Sequence, residues 1–88
     1  MAYAKKKKEI QNISEFSAYK ELVRMKKKRS PHTVVFLIEP KEDWFVNCIE
    51  YRSKSGVIVH DDCINTRTMP GWISWHKNLG WEEDLTNL

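Results

Sequence analysis

The sequence predicts a single α+β domain with an N-terminal helix, a three-stranded antiparallel sheet and a C-terminal helix. Three observations carry that expectation. Residues 33–38, 44–51 and 57–60 are short runs rich in β-branched and aromatic side chains, bounded by Pro, Gly, Ser, Lys and Asp, which is the composition of strands joined by turns. The segments on either side place their apolar residues at helical spacing. A chain of 88 residues builds one small core, so all these elements must share it.

Residues 1–12 read as a basic arm. Lys5, Lys6, Lys7 and Lys8 follow one another with little that can be buried, and like charges this dense stay solvated unless a polyanion meets them. Ser14 then suits a helix N-cap, with Glu15 in the first turn where the helix dipole favours a negative charge. Phe16, Tyr19, Leu22 and Val23 recur at i, i+3, i+6 and i+7. Lys20, Arg24, Lys27 and Lys28 fall largely on the opposite side, and Lys26 and Arg29 complete a cationic end that complements the dipole. Ser30-Pro31 stops the helix, because a residue before proline avoids the α region.

The run 33–38 has almost no polar alternation and is expected to be the most buried strand. In the second run Trp44, Val46 and Cys48 alternate with Phe45, Asn47, Ile49 and Tyr51, so both of its faces are partly apolar. Arg52 to Gly56 reads as a hairpin loop, with Gly56 available for a positive φ. Residues 61–67, rich in Asp and Asn, read as an irregular connection. Thr68 is the expected N-cap of the second helix and Pro70 lies in its first turn. Trp72, Trp75, His76 and Leu79 fall at i, i+3, i+4 and i+7, and Gly80 suits the position just past the C-terminus. Trp81 is expected to close over that end, leaving residues 82–88 as an acidic tail and residues 13–81 as the domain.

The net charge of +3 hides an asymmetry. Residues 1–30 balance at +7 and residues 31–88 at −4, which describes a basic arm on a mildly acidic body. No run approaches the ~20 apolar residues of a membrane span. No apolar stretch follows the lysines as a secretory signal requires, so a cytoplasmic protein without a membrane partner is expected. Two cysteines in that setting are read as free thiols.

Candidate chemistry is sparse. Cys48, His60, Cys63 and His76 have the residue types of a zinc site, but no CxxC pair accompanies them; no metal or other cofactor is expected. His60, Asn65 and His76, with Asp61-Asp62 between, resemble in outline the His-Asn-His nucleases, although only four residues separate His60 from Asn65. The helix, three strands, helix order over about residues 14–80 resembles in topology the double-stranded-RNA-binding domain. That family's Lys-rich motif at the start of its second helix is replaced here by Met69-Pro70-Gly71-Trp72, so the resemblance implies no binding residues.

The expected function is non-enzymatic binding of nucleic acid or a nucleoprotein. Lys5, Lys6, Lys7, Lys8, Lys20, Arg24, Lys27, Lys28 and Arg29 would contact phosphates, largely independently of sequence. The competing expectation is a small inhibitor or adaptor, of a size common among virus-encoded proteins. It would bind a larger protein through its sheet and through Trp72, Trp75 and Trp81.

Overall fold

The computed structural model describes residues 11–85. Where a helix is expected near the N-terminus, the chain makes one 3-10 turn, Ile13–Phe16, and then a strand, β1 (Lys20–Lys27). There follow β2 (His32–Ile38), β3 (Phe45–Arg52), β4 (Ile58–Asn65), the helix α1 (Met69–Asn78) and β5 (Trp81–Glu83). The five strands form one antiparallel sheet in the order β4-β3-β2-β1-β5. The expected architecture of three strands between two helices is therefore corrected to five strands and one helix, and the topological resemblance to the double-stranded-RNA-binding domain falls with it.

The reason lies in β2. Thr33, Val34, Val35, Phe36 and Leu37 are all buried, so this strand must be covered on both faces and paired on both edges. A helix can cover a face, but it cannot satisfy the backbone groups along an edge; a strand can. Val23 and Met25 alternate inward on β1 and lie opposite Phe36 and Val34, and Met25 is completely buried. The helical spacing of Phe16, Tyr19 and Leu22 resolves differently. Phe16 and Tyr19 pack edge to face, 4.9 Å between ring centroids, over the far side of the sheet. Leu22 falls at a β-bulge between Glu21 and Val23 and remains exposed.

The second correction concerns residues 61–65. They continue β4, with Asp61, Asp62 and Cys63 opposite Ile49, Cys48 and Asn47. Aspartates are depleted in strands because most strand positions are half buried. β4 lies at the sheet edge with its Asp side chains exposed, so that objection does not apply here and charge on an edge discourages further pairing.

Two apolar layers result. Met25, Val34, Phe36, Val46, Cys48, Ile64 and Trp81 pack under α1, which contributes Met69, Trp72 and Ile73. Val35, Leu37, Ile49 and Tyr51 line the opposite face beneath Ile13, Phe16, Tyr19 and Ile58. The helix starts after Thr68, whose hydroxyl turns back to Asn65 and makes no cap bond to α1. It ends at Gly80, whose φ of +100° is the left-handed geometry expected there. None of the helices among the described residues is long and apolar enough to cross a membrane.

Candidate functional site

Because residues 20–27 form a strand, the expected basic stripe is divided between the two faces of the sheet. Arg24 lies opposite Val35 on the face away from α1. It donates to both oxygens of Glu21, Nη2 to Oε1 at 2.7 Å and Nε to Oε2 at 3.0 Å, and to the Tyr51 hydroxyl at 3.2 Å. The Glu21 bond above all raises its pKa beyond the usual arginine range, and burial opposes this. Lys27 is on the other face, opposite Trp81, with Nζ 5.9 Å from the indole centroid. Lys26, Lys27 and Lys28 border a shallow groove with Glu82, Glu83 and Asp84, and Lys77 pairs with Glu83 at 3.1 Å. Glu82 and Glu83, expected in an acidic tail, thus stand in β5 against the lysines of β1. Lys20 sits at the far end of β1, opposite Ile38. Lys5, Lys6, Lys7 and Lys8 lie outside the described residues.

The fold gathers a different set of cations. The β1–β2 turn (residues 28–31) and the β3–β4 turn (residues 53–57) lie side by side at one end of the sheet. The Pro31 carbonyl accepts from the Ser53 amide at 2.8 Å, and the Thr33 and Ser53 hydroxyls are 2.7 Å apart. Lys28 and Arg29 from the first turn, with Arg52 and Lys54 beside the second, are all exposed there. None of the four makes an ion pair with another described residue. Gln11, Asn12 and Ile13 are held at the same end. Asn12 Nδ2 donates to the Ser55 carbonyl at 3.0 Å, the Ile13 amide to Gly56 at 2.8 Å, and the Ile58 amide to Gln11 at 2.9 Å. Lys8 precedes Gln11 by three residues, so at most about 11 Å of chain separates them. Arg52 and Lys54 are visible in the sequence as cations near a hairpin tip, but their proximity to Lys28 and Arg29 depends on strand register.

A second feature lies on the face under α1, a groove of about 540 Å³. Its floor is Cys48 and Glu50 of β3 with His60 and Asp62 of β4, brought to one side by the register pairs Cys48–Asp62 and Glu50–His60. Gly71, Trp72, Trp75 and His76 of α1 form the wall. Glu50 Oε2 is 2.6 Å from His32 Nδ1. Burial chiefly, and then the carboxylates of Asp62, Glu50 and Asp61, push the Cys48 thiol up to about 12, so it is neither a nucleophile nor a ready thiolate ligand near neutral pH.

These positions dismantle the constellations suggested by the sequence. Cys48, His60 and His76 do line one groove, but Cys63, one residue after Asp62 on a strand, is exposed on the other side. Among the described residues no three His, Cys, Asp or Glu side chains converge on a point that could hold one metal ion. Asn65 accepts from the amides of Arg67 and Thr68 at 3.0 and 2.9 Å and so builds the turn into α1. Of the three tryptophans expected at a protein interface, Trp81 is a core residue at 7% exposure, Trp72 is half-buried and Trp75 is 54% exposed.

Comparison with protein-family models, with curated proteins and with solved structures found no match to this chain.

Proposed function

We propose that this protein binds nucleic acid, free or within a nucleoprotein, through the basic end of its sheet and without catalysing a reaction. The observation that carries this reading is the convergence of Lys28, Arg29, Arg52 and Lys54 at the end where Gln11 is anchored. Together with Lys5, Lys6, Lys7 and Lys8 they present eight cations from three separate chain segments. Unpaired cations on adjacent turns suit a phosphate backbone, which rewards charge neutralisation by counterion release and reads no sequence. Lys20, Arg24 and Lys27 are left out of the contact set. Arg24 is engaged by Glu21 and Tyr51, Lys27 lies by the Trp81 ring, and Lys20 is at the opposite end of β1; Lys28 borders the β5 carboxylates as Lys27 does, but it stands in the turn with Arg29.

The test is fluorescence anisotropy of labelled duplex and single-stranded DNA and RNA across a salt series. Eight contacts to duplex predict a slope of log affinity against log salt of about −7. Replacing Lys28, Arg29, Arg52 and Lys54 together by Gln lowers the magnitude by about 3–4, while Lys20→Gln leaves it unchanged. Absence of binding at low salt, or an equal loss from Lys20→Gln, refutes the reading.

A further inference from the structure

The groove under α1 has the opposite chemistry to the basic end and is independent of it. Asp62 is exposed and makes no ion pair with another described residue. Glu50 engages His32 through Oε2 only. Trp72 and Trp75 stand edge to face, 6.4 Å between centroids, and Trp75 keeps 54% of its surface exposed.

His76 lines the same groove. It is 7% exposed, its ring enclosed by Phe36, Trp75 and Trp81, and Nδ1 is 2.8 Å from the Trp72 carbonyl oxygen. A carbonyl can only accept, so Nδ1 carries the proton and donates it.

We propose that this groove binds the guanidinium of an arginine presented by a protein partner. Glu50 and Asp62 supply two carboxylate acceptors, and the indoles of Trp72 and Trp75 line the same groove. Guanidinium brings five N–H donors in one plane and stacks on indole, whereas an ammonium is a compact point charge with three donors. The volume of about 540 Å³ lies within the range of sites that enclose small groups. The field on the floor has the required sign, since the surrounding carboxylates add to burial in raising the Cys48 thiol.

The test uses a blocked Ala-Arg-Ala peptide, with lysine and citrulline twins, titrated into the ¹⁵N-labelled protein. The arginine peptide shifts the indole N–H signals of Trp72 and Trp75 saturably and leaves those of Trp44 and Trp81 in place. The citrulline twin, isosteric but uncharged, binds at least about tenfold more weakly, and Asp62→Asn costs a similar factor. Gly71→Leu places a bulky side chain at the groove wall; a Cβ at this position meets no atom within 4 Å, and a dispersed spectrum checks that the variant is folded. Equal binding of the citrulline or lysine twin overturns the guanidinium assignment. Absence of shifts at Trp72 and Trp75 at millimolar peptide, or full binding by Gly71→Leu, overturns the site.

Discussion

Cys48 and Cys63 differ by their side of one sheet. Cys48 is buried under α1 with its ionisation suppressed, and Cys63 is exposed on β4. Iodoacetamide near neutral pH is therefore expected to label Cys63 in the folded protein and Cys48 only after unfolding, as peptide mapping will show. Linkage gives the same asymmetry a pH signature. The folded thiol titrates near 12 and the unfolded one near 9.0. Between these values the folded state holds the extra proton, so this group's contribution is present below pH 9 and declines as pH rises towards 12. Thermal melts of wild type and Cys48→Ala across that window are expected to converge as pH rises; a constant gap contradicts the shift.

The glycines separate in the same way. Gly71 sits inside α1 with open space around it, so Gly71→Ala is expected to stabilise by about 0.5–1 kcal/mol through helix propensity. Gly80 holds φ at +100°, and alanine there is expected to cost about 1–2 kcal/mol. Gly56 is worse placed, because at φ +80° its Cβ would lie 2.7 Å from Asn12 Oδ1, breaking the attachment of Gln11 and Asn12 to the β3–β4 turn. Urea denaturation ranks all three.

Among the elements, β5 does most for its length. It is three residues long and pairs only with Met25 to Lys27, yet Trp81 is buried in the layer under α1 and meets the His76 ring at 6.1 Å. Trp81→Ala is expected to destabilise by about 3–5 kcal/mol, with little change in the polyanion affinity of the protein that remains folded. A loss of affinity without a loss of stability would return Trp81 to the role of interface residue. β2, β3, the start of β4, α1 and its glycine stop are legible in the sequence, because each has a strong local pattern. β1 is not, since Phe16, Tyr19, Leu22 and Val23 mimic a helical face. Their partners decide otherwise: Phe16 and Tyr19 cover one side of the sheet while Val23 joins the other.

On the scale of the whole molecule, charge is sorted by topology. The two turns that carry Lys28, Arg29, Arg52 and Lys54 make one end basic, while the face under α1 collects Glu50 and Asp62 beside indole rings. If both proposals hold, charge reversal at Lys28, Arg29, Arg52 and Lys54 abolishes polyanion binding and leaves the arginine peptide bound, and Gly71→Leu does the reverse. Such a pair of sites suits a nucleoprotein, which offers phosphate and basic side chains together.

The sequence by itself determined the central strands, the C-terminal helix and the excess of cations near the N-terminus. These are written in local composition and in periods that need no partner. The tertiary structure alone decided that residues 20–27 are a strand, that Arg24 is engaged while Arg52 and Lys54 stand with Lys28 and Arg29, and that Glu50, Asp62 and His76 share a groove. Those outcomes depend on strand register and on β2's need for a neighbour at each edge. Hydrogen-bonding demand of that kind acts between segments far apart in the chain and leaves no local pattern in either one.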